Sequence, residues 1–319
     1  MTESRESAAL AYALAAVALW STAAVAFKTA LKDLAPTDLV ILASFVSWIG
    51  LGAALLVRTV RKDRKDRTVH AAAGPASDSA PAVPPPAGGR RIAAAALLGL
   101  LNPAAYYLVL FAAYDRLPAQ AAQPLNYTWP LFLALLAAPI NRRRPARRDL
   151  IAVGISFVGV VFISWRPGGT GALDGLGVAL ALGSGVLWAC YWLVGDRLGM
   201  DGALRLFIGF TAACVLLAVL WGFRGFPLPS APSGWIAACW VGLFEMGITF
   251  LLWNAALART EHPARIGNIV YLGPFVSLVW IRLVLGEEIR PATVAGLAVI
   301  VVGILVGRGI LFAGRAGEA

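Results

Sequence analysis

Histidine and cysteine are nearly missing from this chain, two and three residues respectively among 319. His70 lies in a polar stretch and His262 in a short loop, so the clustered donors of a metal site are lacking and no metal is implied. Cys190, Cys214 and Cys239 fall inside or beside apolar runs, form no C-x-x-C pair and, being odd in number, leave no complete disulfide framework. They read as small packing residues. Gly168–Gly169–Thr170–Gly171 has a phosphate-loop flavour, but no strand precedes it and no G-K-[ST] follows, so it reads as a flexible external loop and ATP-driven pumping is disfavoured. Met1–Ser7 sets Arg5 against Glu3 and Glu6 and lacks the positive n-region of a signal peptide, so the first apolar run is expected to stay as a membrane span.

Charge is scarce too. Only 14% of residues are charged against 59% hydrophobic, with a mean hydropathy of +0.75, more apolar surface than a soluble core of this size could hide. Apolar runs recur at 8–28, 39–58, 92–114, 119–140, 150–166, 175–195, 203–222, 234–257, 264–285 and 292–312, each close to the roughly 20 residues that cross a bilayer. They lack the alternation of barrel strands, and lipid offers exposed N–H and C=O groups no partner, so the runs must be helices. The expected fold is an all-α membrane protein with ten transmembrane helices.

The formal charge of +10 might suggest nucleic acid, but the basic residues sit in short loops between spans, where they set topology. With the N-terminus inside, the cytoplasmic segments collect Arg58, Arg61, Lys62, Arg64, Lys65, Arg67, Arg90 and Arg91, then Arg142, Arg143, Arg144, Arg147 and Arg148. The external loops keep Lys28, Lys32, Arg116, Arg166, Arg224 and Arg290. A bias of roughly three to one predicts both termini in the cytoplasm, in a multi-pass protein of a bacterial inner membrane.

Residues 59–91 are the one long polar break, a Lys/Arg run followed by small residues and by Pro81, Pro84, Pro85 and Pro86, the composition of a disordered cytoplasmic linker. The division is then 1–58 for the first two spans, 92–166 for spans three to five, and 167–319 for spans six to ten. The two sets of five echo each other. Val17–Ala18–Leu19–Trp20–Ser21 is matched by Gly185–Val186–Leu187–Trp188–Ala189, and Leu117–Pro118–Ala119 by His262–Pro263–Ala264. Tyr127 with Pro130 matches Tyr271 with Pro274, and Gly159 matches Gly303, at one common offset. A five-plus-five repeat with an odd number of spans must be inverted, which predicts a central cavity with alternative access from either side. Gly154 and Gly159, Gly183 and Gly185, and Gly303 and Gly307 stand at helix-packing spacing.

A transported solute must recover its hydrogen bonds and stacking inside the protein. The fourth run supplies Gln123, Asn126 and Pro130 on one face, with Tyr127 and Trp129 beside them. The third offers Asn102 and Tyr106 one turn apart, with Tyr107, and the sixth a Trp188, Tyr191, Trp192 cluster. Rings of this kind can stack an amphipathic solute or a cation, or can serve packing and the headgroup belt. In the ninth run Arg265, Asn268 and Tyr271 share a face. Glu245, deep in the eighth run with Thr249 one turn away, is the sharpest signal, because a carboxylate at that depth must face a cavity, be paired or be protonated. It is expected either to carry a proton or bind a substrate amine, or to serve as a hydrogen-bonded structural carboxyl.

The ten runs, Leu19–Trp20–Ser21 with Leu187–Trp188–Ala189, Trp253–Asn254–Ala255–Ala256–Leu257, and Gly286–Glu287–Glu288 together resemble the EamA branch of the drug/metabolite transporter superfamily, over nearly the whole chain outside 59–91. The resemblance implies transport of small metabolites through a central cavity, without ATP hydrolysis or a bound cofactor. Asn126–Tyr127–Thr128–Trp129–Pro130 also looks like a stretch of bacterial aromatic amino-acid exporters, which makes Tyr127 and Trp129 candidates for the cavity. Glu245 departs from those exporters, where an uncharged residue is expected. The reading is a transporter, not an enzyme, exporting amino acids or related amphipathic compounds, with solute and lipid bilayer as partners. The substrate-binding set is Trp20, Asn102, Tyr106, Gln123, Asn126, Tyr127, Trp129, Trp188, Tyr191, Trp253, Asn268 and Tyr271, with Glu245 for proton or amine coupling. Two alternatives stay open: an enzyme on lipid-like substrates, for which Glu287 and Glu288 are the adjacent acidic pair, and a non-transporting scaffold.

Overall fold

A computed structural model describes residues 2–73, 88–140, 147–164 and 173–308. The expected loop at 168–171, the arginines 142–144, and the run ends at 165–166 and 309–312 lie outside the described residues. Every regular element among the described residues is helical. In chain order these are α1 (Thr2–Trp20), α2 (Ala23–Ala30), α3 (Pro36–Ala73), α4 (Gly89–Gly99), α5 (Tyr106–Arg116), α6 (Ala119–Asn126), α7 (Trp129–Ile140), α8 (Arg147–Ser164), α9 (Gly175–Gly195) and α10 (Gly202–Phe223). They continue with α11 (Pro232–Trp240), α12 (Thr249–Leu257), α13 (Pro263–Asn268), α14 (Gly273–Trp280) and α15 (Pro291–Gly307).

Seven helical stretches among these residues are long and apolar enough to cross a membrane: Arg5–Ala30, Pro36–Arg61, Gly89–Arg116, Gly175–Gly195, Gly202–Phe223, Pro232–Leu257 and Arg265–Leu285. The other three expected runs are helical but shorter or more charged. The fourth is divided into α6 and α7, α8 opens on Arg147, Arg148 and Asp149, and α15 has 17 residues. Large apolar side chains such as Leu97, Phe157, Val215, Ile236 and Leu283 are more than half exposed, the outer surface of a multi-pass membrane protein rather than a soluble one.

The polar break departs from expectation in its first half. Helix α3 runs on to Ala73, so 59–73 is helical, and 74–87 lies outside the described residues. Arg, Lys and Ala dominate 59–73 without a Gly or Pro, and such residues hold a helix.

Several helices break near mid-length, and three of the breaks have a local cause. Between α1 and α2, the Ser21 and Thr22 hydroxyls donate back to the carbonyls of Ala18 and Leu19 at 2.6 and 2.7 Å and compete with the helical ladder. Pro103 has no N–H and forces its predecessor out of the helical region, so Asn102 is extended at φ −141°, ψ 116° inside a wide turn at Leu100–Ala105. A second wide turn, Val241–Ile248, joins α11 to α12 and carries Glu245. Pro124 and Pro130 flank the break between α6 and α7, where the Thr128 hydroxyl donates to Leu125 O at 2.7 Å.

The packing recurs with the two halves exchanged. α1 packs on α12 as α9 packs on α5, and α3 packs on the 241–248 turn as α10 packs on α4, while α3 with α10 and α8 with α15 pair across the middle. Gly159 in α8 and Gly296 in α15 each face the other's carbonyl, and Gly303 faces Ala152 and Ser156, whereas Gly154 and Gly183 have open space and are no packing contacts. At the α4–α10 crossing, a Cβ on Gly99 would overlap the Gly209 carbonyl. Backbone cannot yield as a side chain can, so Gly99→Ala should lower stability by about 1–3 kcal/mol. A fall in the thermal midpoint of detergent-purified protein would register it, and an unchanged midpoint would count against this crossing.

Candidate functional site

A cavity of about 270 Å³ lies where the broken helices meet. Its polar wall comes from α5, α6 and the 241–248 turn. Tyr106, Gln123 and Asn126 are buried there, and Tyr127 and Trp129 stand at the break that follows. Asn126 is held by both neighbours: its Nδ2 donates to Ser184 Oγ at 2.8 Å and its Oδ1 accepts from the Tyr106 hydroxyl at 3.5 Å.

Adjoining it is an aromatic wall. The Trp20 ring sits 5.5 Å from both Phe250 and Trp253, and the Trp188 ring 5.6 Å from Phe250 and 4.6 Å from Tyr106. Phe250, Trp253 and Leu257 share one face of α12, and all three line the cavity. Glu245 lines the cavity from the polar side. Its Oε1 is 3.4 Å from the Tyr107 hydroxyl, a long contact, and its Oε2 is buried with no partner among the described residues. The backbone carbonyl of Glu245, inside the wide turn, accepts from Trp20 Nε1 at 3.4 Å. Wide turns loosen the helical ladder and often mark functional positions.

The cavity extends to one end of the bundle, where Leu257, Gly267, Tyr271 and Arg308 line it. Arg308 donates to Asn268 Oδ1 and lies 5.7 Å from the centre of the Tyr271 ring. Towards the other end Phe27, Phe111 and Tyr114 pack at 4.8 and 5.0 Å and are 2%, 0% and 2% exposed, so they form a plug. Beyond the plug, Glu287 accepts from the backbone N–H groups of Ala119 and Gln120 at 2.9 and 3.2 Å. Gln120 in turn donates to Glu288 O and accepts from the Arg290 N–H and the Thr293 hydroxyl. Lys28 donates to Tyr114 O and Leu117 O at 2.8 and 3.2 Å.

Ten of the thirteen site residues expected from the sequence line this cavity: Trp20, Tyr106, Gln123, Asn126, Tyr127, Trp129, Trp188, Glu245, Trp253 and Tyr271. Three do not. Asn102 is buried at its kink below Tyr106, Tyr191 is buried behind Trp188 with Arg205 5.8 Å from its ring centre, and Asn268 stands at the mouth holding Arg308. Sequence reasoning left out Phe27, Leu110, Tyr114, Phe250 and Arg308, among others. Helical spacing from Trp253 would have found Phe250. Nothing local marks Arg308, which reaches the cavity only because the last helix packs beside α8 and α13 lies near its end.

The profile described as the EamA-like transporter family matches residues 7–165 and 175–307. Among curated proteins, the chain is 27% identical over 202 residues to the threonine/homoserine exporter RhtA of Escherichia coli, covering 60% of this chain and 63% of that one. It is 27% identical over 177 residues to the aromatic amino acid exporter YddG of Ancylobacter novellus, covering 54% and 61%. The chain thus spans just under two thirds of the length of these relatives. A solved crystal structure, 21% identical, superposes with a TM-score of 0.63 over 98% of this chain and 99% of its own, and shares the fold.

Proposed function

The chain belongs to the EamA-like transporter family, and on that premise we propose that it exports small amphipathic metabolites, amino acids first among them, across the bacterial inner membrane by alternating access. The observation that carries this reading is the cavity itself: lined by polar and aromatic side chains, with a carboxyl oxygen unpartnered among the described residues, reaching one end of the bundle and plugged towards the other. Amino acids come first because two of the relatives are named as amino-acid exporters.

The family match in two segments and the packing that recurs with halves exchanged support ten crossings in two inverted sets of five. The balance of basic residues supports a cytoplasmic side for the cavity mouth and Arg308, and an external side for the Glu287 contacts. The cavity residues and Glu245 form the substrate site in this reading. Against the enzyme alternative, Glu287 is engaged in capping α6 and offers no free carboxylate pair.

Counterflow in proteoliposomes preloaded with threonine, homoserine, tryptophan or phenylalanine tests the proposal. Saturable exchange of at least one is expected. Exchange of none, by protein that is monodisperse and folded, removes the amino-acid assignment.

A further inference from the structure

The hydrogen bonds a cavity leaves unmet indicate the group it receives. Two buried side-chain oxygens of the lining have no partner among the described residues, Glu245 Oε2 and Gln123 Oε1, and both are acceptors. One lining donor, Trp192 Nε1, is likewise buried and without a partner among the described residues, while three neighbouring donors are turned to other tasks. The Tyr106 hydroxyl points to Asn126 Oδ1, Asn126 Nδ2 to Ser184, and Trp20 Nε1 to the Glu245 carbonyl. No Lys, Arg or His of the described residues forms an ion pair with Glu245, and the cation that lines the cavity, Arg308, is held at its mouth by Asn268. The rings of Trp20, Trp188, Phe250 and Trp253 pack on one another and line the same cavity as the carboxyl.

Desolvated acceptors in a cavity lined by aromatic rings suit an ammonium group, whose N–H donors satisfy the oxygens while its charge is attracted to the negative ring faces. The same surroundings repel a carboxylate. We propose that Glu245, with Gln123 and the surrounding aromatic side chains, forms an ammonium subsite, so that this cavity selects solutes by their amine and does not require their carboxylate. The inference rests on the transport reading and narrows it to amines with an aromatic or apolar body.

Three probes with the same indole body isolate the groups: tryptamine carries the amine alone, tryptophan both groups, and indole-3-propionate the carboxylate alone. Calorimetric titration of the purified full-length protein should show tryptamine and tryptophan binding at least tenfold more tightly than indole-3-propionate. In Glu245→Gln that preference should shrink at least tenfold, through loss of affinity for the amines only. Equal binding of tryptamine and indole-3-propionate by the unaltered protein, or no binding of tryptamine, overturns the subsite without recourse to a variant. A preference that persists in folded Glu245→Gln overturns the role of that residue. Amino-acid counterflow combined with equal binding of the probes would sink the subsite and leave the transport reading standing. Tryptamine preference without any counterflow would do the reverse.

Discussion

Glu287→Ala should open the plugged end of the cavity, and a cysteine introduced at Ala23 should then react with a membrane-impermeant thiol reagent from outside at least ten times faster. The Glu287 carboxylate accepts two backbone N–H groups at the start of α6, where a helix leaves its donors unsatisfied and favours an anion. It thereby ties the loop after α14 to a helix of the other half. Hydrogen bonds to a charged group contribute about 1.5–3 kcal/mol. Losing one such contribution from the closed state alone shifts the closed-to-open ratio by roughly ten- to a hundredfold.

Ala23 lines the cavity below the plug, so its reactivity reports that population. The measurement needs right-side-out vesicles and a background in which Cys190, Cys214 and Cys239 are replaced. Glu287→Gln is the matched control, since it keeps the shape but loses the charge, and its labelling should fall between the two. Unchanged labelling in both variants would mean that the Phe27, Phe111 and Tyr114 plug closes this end without help. At the opposite end the Glu6 carboxylate accepts from the Glu261 N–H at 2.6 Å and the Thr260 hydroxyl at 3.0 Å, just before α13.

The second large effect is expected at Glu245. Glu245→Gln should leave the protein folded and abolish the pH dependence of transport between pH 5 and 8. The carboxyl is the acidic side chain of the lining, and the titratable groups near it are Tyr106, Tyr107 and Tyr114 from α5 and Tyr127 from the break after α6. Two surface carboxyls are poor rivals for a response in that window. The Ser230 hydroxyl and the Ala231 N–H hold Asp33 below the ordinary aspartate range, and a hydrogen bond from Arg116 does the same for Asp174. Groups depressed in this way contribute to stability at neutral pH and lose that contribution only as pH falls through their lowered values, well below 5. Initial counterflow rates at pH 5.5 and 7.5 decide the matter. A variant that keeps the wild-type ratio would remove Glu245 from proton coupling and leave it as a binding or structural group.

Much of the cavity could be read from the chain because its signals are local. Pro103, Pro124 and Pro130 break helices wherever they fall, and residues at helical spacing share a face in any packing, so Tyr106 and Trp188 follow from spacing, while the exporter-like stretch 126–130 marked Tyr127 and Trp129. Glu245 announced itself by the cost of its depth. Misplaced residues failed for a matching reason. Tyr191 lies one turn from Trp188 but points behind it, and Asn102 is turned aside by the extended backbone that Pro103 imposes.

Hydropathy along the chain by itself determined the solvent and the helical class, and the prolines marked some of the breaks, since a residue's preference for lipid and a proline's missing N–H do not depend on distant neighbours. The paired landmarks in the two halves were sequence properties as well. The tertiary structure alone decided which end of the cavity is plugged, that Arg308 reaches the mouth, and that Glu287 grips α6 from the far end of the chain. Those contacts join segments that are remote in sequence, and their partners are chosen by how the helices pack, which no local pattern encodes.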